Sequence, residues 1–193
     1  MNKTILLGTL LLAGVGASAQ ETAETPKLEV GVDYTYLRVN PANGLNAYNE
    51  NGGSAYAEYN FNKVFGLVAD LGGNYVGTTS GVALNNTSFD YLFGPRFNLR
   101  HSRYTFYAQS LFGGQRVTNG FASGSFNPLL AGDQNNFAAA FGGGVDIAVS
   151  NHIAVKPIQV EYLMSQYAPG SGYNLVQNNL RYSAGIVFRL GSK

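Results

Sequence analysis

The sequence contains no cysteine, which excludes disulfide bonds, thiolate catalysis, cysteine zinc sites and a lipid-modified N-terminal cysteine. Charged residues are also scarce: they make up 12% of the 193 residues, against about 25% in ordinary soluble domains. The formal net charge of +1 gives no electrostatic reason to expect nucleic-acid binding. The body of the chain has no apolar run long enough for a membrane helix, although 45% of its residues are hydrophobic. The chain is therefore poor in charge without being uniformly apolar.

The N-terminus has the features of a secretory signal peptide. Lys3 supplies a positive charge, residues 5–15 form a short apolar core, and Ala17 and Ala19 frame a cleavage site before Gln20. The alternative, a retained membrane helix, is disfavoured because the apolar run is too short and the sequence that flanks it is not typical of a membrane helix. We expect a removed signal peptide at 1–19, a polar leader at 20–26, one domain at 27–190 and a tail at 191–193.

The last segment of the chain alternates between apolar and polar side chains. One parity holds Leu180, Tyr182, Ala184, Ile186, Phe188 and Leu190, and the other holds Arg181, Ser183, Gly185, Val187 and Arg189. Because successive side chains of a strand point to opposite faces, this pattern predicts a strand with one apolar and one polar face.

Seven further segments alternate in the same way. The eight predicted strands are 27–38, 54–62, 65–77, 87–99, 103–116, 136–149, 153–166 and 179–190. The connections at 62–64, 100–102 and 150–152 are tight, whereas those at 39–53, 78–86, 117–135 and 167–178 are long and rich in Asn, Gly and Ser. This pattern predicts an all-β fold, an eight-stranded antiparallel up-and-down transmembrane β-barrel with short periplasmic turns and long extracellular loops.

The alternative architecture is a soluble eight-stranded barrel that encloses a hydrophobic ligand. Such a barrel would show its polar face to water and would carry many Lys and Glu residues there. Here the polar parity has only one or two charges per strand, mixed with Gly, Ala, Ser and Asn. The scarcity of charge favours the membrane barrel, with the apolar parity outside.

The seventh strand changes parity at Pro157. Ile153 and Val155 are odd-numbered, whereas Ile158 and Val160 are even-numbered. Proline within a sheet is largely confined to edges and bulges, and a closed barrel has no edge. We therefore predict a β-bulge at Pro157.

Aromatic residues gather near the strand ends and predict two interfacial girdles. The periplasmic girdle comprises Phe61, Phe65, Phe97, Tyr104, Phe106 and Phe188, and the outer girdle comprises Tyr34, Tyr36, Tyr75, Phe89, Tyr91, Phe137, Tyr162 and Tyr182.

Two stretches resemble the family of small outer-membrane β-barrels, similar to the transmembrane domain of outer-membrane protein A. The first is the glycine run 141–147, which passes through a tight turn at 150–152 into the segment 153–162. The second is the C-terminal strand, where Ser183, Gly185, Phe188 and Leu190 fill that family's barrel-assembly signal in order. The final anchor is Leu rather than the usual aromatic residue, and 191–193 trail behind it. The resemblance covers residues 27–190.

The resemblance implies export through the Sec pathway to the outer membrane of a Gram-negative bacterium. It implies that the barrel contacts outer-membrane lipid, and during biogenesis the barrel-assembly machinery and periplasmic chaperones. It does not specify an activity, since family members include passive structural barrels, narrow pores, adhesins and a few lipid-modifying enzymes.

The polar parity places charged residues of both signs inside the predicted barrel. They are Glu29, Asp33, Glu58, Asp70, Asp90, Arg96, Asp146, Lys156, Glu161, Arg181 and Arg189. Eight strands leave an interior just wide enough for side chains, and buried charges must be paired. We therefore expect a lumen filled by paired charges rather than an ion path. The excess of carboxylates would favour cations if a path opened.

No catalytic or metal-binding constellation is evident. The two histidines, His101 and His152, fall in predicted periplasmic turns, and Ser110 on the lipid-facing parity has no histidine nearby. The glycines at 142–144 lie within a strand, with no helix after them to bind phosphate. We expect no enzyme activity, no cofactor and no metal-ligand spacing.

The long loops carry apolar residues that could bind a surface ligand or pack on one another. Loop 117–135 holds Phe121, Phe126, Pro128, Leu129 and Leu130, and loop 39–53 holds Leu45, Ala47 and Tyr48. The sequence thus favours a structural or surface-interaction protein. A narrow cation-leaning porin-like channel is the alternative, and a lipid-modifying enzyme is the third hypothesis.

Overall fold

The chain folds into a closed barrel of eight strands. The computed structural model describes residues 25–40, 47–79, 82–120, 132–167 and 175–191. The strands are β1 (Leu28–Val39), β2 (Tyr48–Asn60), β3 (Phe65–Thr79), β4 (Val82–His101), β5 (Tyr104–Gly120), β6 (Gly132–Ala148), β7 (Ile153–Tyr167) and β8 (Leu175–Leu190). Each pairs antiparallel with the next, and β1 also pairs with β8, which closes the sheet. The predicted fold is confirmed.

The strands extend further than the sequence predicts at the end of the barrel that carries the long connections, which we call the loop end; the opposite end, with the tight connections, is the turn end. β2 begins at Tyr48 rather than at residue 54, because Asn51 and its neighbours pair with Tyr36 and the end of β1. β3 and β4 approach each other as far as Thr79 and Val82, so most of the loop expected at 78–86 is strand. Backbone pairing with a neighbouring strand sustains these ends in spite of their Asn- and Gly-rich composition.

The predicted bulge in β7 is present. The pairing between β7 and β8 shifts register between Lys156 and Gln159, and Pro157 and Ile158 are both exposed on the outer face. The extra residue restores alternation, so that Lys156 and Gln159 are both buried in the interior.

The outer face of the barrel is apolar. Large hydrophobic side chains are exposed along every strand, including Tyr34 at 58%, Phe97 at 55% and Leu67 at 48%. Phe65 and Phe97 of the predicted periplasmic girdle contact each other as tilted rings, with centroids 5.6 Å apart. A soluble barrel could not present this surface to water, so the alternative of an inward apolar face is wrong.

Two glycines create space for the largest interior side chains. A Cβ atom on Gly31 would overlap the ring of Tyr56, and one on Gly144 would lie 2.6 Å from the Tyr107 hydroxyl. The glycine run of β6 therefore serves packing, since it lets Tyr107 cross the interior. Within the described residues, no helix has the length and apolarity needed to cross a membrane.

Candidate functional site

The interior of the barrel collects the charged residues that the sequence assigns to the polar face. All of the predicted carboxylates, together with Arg96, Lys156 and Arg181, are buried. Arg189 is the exception, with 11% of its side chain exposed at the turn end. Alternation places these side chains inside, and their pairing determines whether the lumen is filled or open.

A stack of two cations and two tyrosines occupies the lumen; we call it the tyrosine–cation cluster (Tyr56, Arg96, Tyr107 and Lys156). The Arg96 guanidinium carbon lies 4.6 Å from the ring centre of Tyr56 and 4.3 Å from that of Tyr107. The Lys156 ammonium lies 3.9 Å from the ring centre of Tyr56. Since none of these side chains is exposed by more than 6%, the cluster fills the interior at this level.

Each cation of this cluster also has a carboxylate partner. Arg96 donates to Glu58 at 2.9 Å, and Lys156 donates to Asp33 at 2.8 Å. Arg96 further donates through Nε to Gln109 at 2.7 Å. Buried charges are stable only when they are paired and hydrogen-bonded, and these pairs meet that condition.

Arg181 lies among three carboxylates. It donates through Nε to Glu161 at 2.8 Å and through a terminal nitrogen to Asp70 at 3.0 Å, and Asp90 lies 3.9 Å away. Glu161 also accepts a hydrogen bond from Gln109. A single guanidinium therefore offsets part of the negative charge of three buried acids.

A third group of charges closes the turn end of the lumen. Glu29 accepts from Arg100 at 2.8 Å and from Arg189 at 3.0 Å. Asn60 donates to the same carboxylate at 3.1 Å. Asp146 is buried as well, with one carboxylate oxygen that has no hydrogen-bond partner.

The sequence pattern does not predict two members of this interior. Arg100 falls in a predicted turn, yet its side chain reaches into the barrel to Glu29. Glu50 falls in the predicted loop 39–53, yet it lies in β2 and is 1% exposed. The alternation of β2 continues through residues 48–53, and this signal was obscured by their Asn and Gly content.

One apolar residue of the predicted loop 39–53 does not lie on the surface. Tyr48 belongs to β2 and is buried, so it is not available to a surface ligand. The two ends of the predicted loop 117–135 belong to strands, residues 117–120 to β5 and residues 132–135 to β6. Leu45 and the apolar residues at 121–130 lie outside the described residues.

The described residues contain no catalytic arrangement involving histidine. His101 and His152 are exposed at the turn end, and Ser110 faces the outer side of β5. No group of three or more His, Asp or Glu side chains in the described ranges has a metal-binding arrangement. In the predicted assembly signal, Phe188 and Leu190 point outward and Ser183 lies inside. That role remains a prediction, as does cleavage at Ala17–Ala19, which precedes the described residues.

Comparisons with known proteins identify the class of barrel. A sequence profile described as "Outer membrane protein beta-barrel domain" matches residues 7–189. No curated protein sequence matches the chain.

Solved structures share the fold at low sequence identity. Neisserial surface protein A superposes with a TM-score of 0.67 at 12% identity, over 85% of this chain and 97% of that one. The attachment invasion locus protein Ail of Yersinia pestis gives 0.56 at 15% identity, over 86% and 99%. OprG from Pseudomonas aeruginosa gives 0.52 at 10% identity, over 88% and 99%.

Proposed function

Because this chain belongs to the outer membrane protein beta-barrel domain family and is a bacterial outer-membrane barrel, we propose that it acts through its surface rather than through its lumen. The observation that supports this proposal is the tyrosine–cation cluster, whose two cations are fully paired and buried. A lumen filled in this way offers no passage for solutes, so the extracellular loops are left as the functional part. We further propose that the protein is not an enzyme.

The composition of the loops indicates how a partner would be recognised. Residues 40–47, 121–131 and 168–174 contain no charged side chain and are rich in Asn, Gly and apolar residues. One of the similar structures, Ail, was solved in complex with the heparin analogue sucrose octasulfate. The uncharged loops of this chain suit a different kind of partner, held by apolar contacts and amide hydrogen bonds.

A loop deletion tests the surface role. Bacteria displaying the barrel would be compared with bacteria displaying a variant in which residues 121–131 are replaced by a short Gly-Asn turn. The probes are immobilised matrix proteins and immobilised heparin. We expect adhesion to a matrix protein that resists added salt, no adhesion to heparin, and loss of adhesion in the variant while the barrel still folds.

Deleting residues 41–46 in the same way tests whether the second candidate loop also contributes to adhesion. If the parent barrel does not adhere to any probe above bacteria lacking the protein, surface recognition is wrong and a passive structural role remains.

The second candidate function is a narrow channel that favours cations. The observation in its favour is the excess of carboxylates around Arg181. A channel of this kind would show conductance in planar bilayers that falls in Asp33→Asn or Glu58→Gln. Silent bilayers would eliminate it.

A further inference from the structure

A small cavity lies at the loop end of the lumen, apart from the tyrosine–cation cluster. Its volume is about 10 Å³, which is room for one water-sized species. Side chains that carry oxygen atoms line it together with three aliphatic residues; the oxygen-bearing ones are Tyr48, Glu50, Asn86, Ser88, Gln115, Gln177 and Asn179. The lining contains no lysine or arginine.

Glu50 is the charged member of this lining. Ser88 donates to one of its carboxylate oxygens at 2.8 Å, and Asn86 donates to the other at 3.3 Å. Among the described residues, no arginine or lysine forms an ion pair with it. A buried carboxylate without a cation is costly, so this environment favours a positive species.

The distribution of charge along the lumen supports the same conclusion. Near the turn end, the carboxylates Glu29, Asp33, Glu58 and Asp146 share the interior with the cations Arg96, Arg100, Lys156 and Arg189. Elsewhere, the carboxylates Glu50, Asp70, Asp90 and Glu161 share only Arg181. The uncompensated negative charge of the described lumen is therefore concentrated around Arg181 and the cavity.

An unpaired oxygen points independently to a ligand in the cavity. The side-chain carbonyl oxygen Oδ1 of Asn86 is buried and has no hydrogen-bond partner, and Asn86 itself is only 6% exposed. Buried polar atoms are nearly always satisfied by protein, water or an ion. Since the amide nitrogen of Asn86 already donates to Glu50 and Tyr48, its oxygen remains available to coordinate a cation.

We propose that this cavity, lined by Glu50, the orphan oxygen of Asn86 and neighbouring neutral oxygens, is a binding site for one calcium ion. Calcium takes carboxylate, amide and hydroxyl oxygens in flexible geometry, whereas magnesium demands an ideal octahedron and usually retains several waters. Most ligands of an ion in this cavity would come from the protein's own oxygen atoms, which favours calcium over magnesium.

The donor set also indicates the affinity. One carboxylate with neutral oxygens gives a weak site, so we expect a dissociation constant of about 10⁻⁴ to 10⁻³ M, as in extracellular calcium modules. This inference does not depend on the proposed surface function, because it concerns the lumen and not the loops.

Calcium titration of the refolded protein tests the proposal. The chain would be refolded in zwitterionic detergent in chelator-treated buffer at about 0.15 M salt and titrated with calcium chloride by calorimetry. We expect one saturable site that is weakened by about tenfold or more in Glu50→Gln. Asn86→Val removes the orphan oxygen and should weaken binding as well.

Asp146→Asn is the matched control, because it also changes a buried carboxylate to an amide but does not line the cavity. It should retain the calcium affinity of the parent. Thermal unfolding gives a second readout, in which calcium raises the midpoint of the parent and of Asp146→Asn but not that of Glu50→Gln. Absence of saturable binding up to about 10 mM calcium, tenfold above the weakest expected constant, would overturn the proposal. Binding that is unchanged in Glu50→Gln would overturn it equally.

Discussion

Lys156 and Asp33 form a buried ion pair whose two partners lie far apart in sequence, on β7 and β1. Their side chains are 0% and 1% exposed and are separated by 2.8 Å. Removing one partner of such a pair leaves an uncompensated charge in a low-dielectric interior. At this scale, the stability of the barrel depends on complete pairing more than on the number of charges.

We expect Lys156→Met to lower the free energy of unfolding by about 3–5 kcal/mol, because Asp33 is left buried without its cation. Adding Asp33→Asn should restore part of that loss. Lys63→Met, at an exposed turn position, should stay within about 0.5 kcal/mol of the parent. Urea unfolding in lipid vesicles, followed by tyrosine fluorescence, measures all three. A double variant less stable than Lys156→Met would contradict the pairing argument.

Glycine positions differ in how much room they leave for a side chain. We expect Gly31→Ala to lower the free energy of unfolding by about 1–3 kcal/mol, because its Cβ atom would overlap the Tyr56 ring and displace the tyrosine–cation cluster. At Gly73, a Cβ atom would meet nothing within 4 Å, so Gly73→Ala should be neutral or slightly stabilising. If Gly31→Ala and Gly73→Ala lost the same free energy of unfolding in this assay, the tyrosine–cation cluster would not restrict the packing at Gly31.

At the scale of single elements, the bulge in β7 keeps the second half of that strand in register. Deleting both Pro157 and Ile158 would place Gln159 directly after the inward Lys156, which would turn Gln159 and Glu161 toward the lipid and bring their outward neighbours inside. We expect the deletion to abolish folding, whereas Pro157→Ala should fold, since the extra residue remains. Heat-modifiable migration on a gel distinguishes folded from unfolded barrels. A folded deletion variant would show that the register is not fixed here.

The elements also show what the sequence could and could not predict. The strict alternation of β8 and the parity change at Pro157 were sufficient to predict the inner and outer faces, because side-chain direction follows directly from strand periodicity. The sequence pattern predicts that β2, β4 and β6 begin several residues later than they do in the structure. Their Asn and Gly residues suit turns equally well, and only pairing with a distant strand selects the extended conformation.

The same ambiguity hid two residues of the lumen. Glu50 falls in a predicted loop because it is flanked by Asn49 and Asn51, although β2 extends past it. Arg100 falls in a predicted turn, although it lies in β4 on the same inward parity as Arg96 and Asn98. The residues with which each charge pairs could not be predicted, because pairing across the lumen depends on the stagger of all eight strands.

At the scale of the whole molecule, the barrel presents an apolar band to lipid and encloses a lumen occupied by buried side chains. The fully buried cations Arg96, Lys156 and Arg181 lie at different points of its interior, each held by at least one carboxylate. To conduct, the barrel would have to break several of these pairs at once. The central claim is that the lumen is closed, and the proposed action through the extracellular end depends on it.

Planar-bilayer recording tests this claim most directly. The refolded chain would be inserted into a bilayer between symmetrical potassium chloride solutions, with insertion verified separately by protease protection of the strands. The account predicts a silent membrane, without reproducible current steps at either polarity. Steady cation-selective steps that diminish in Glu58→Gln would contradict it and would show that the lumen is an ion path.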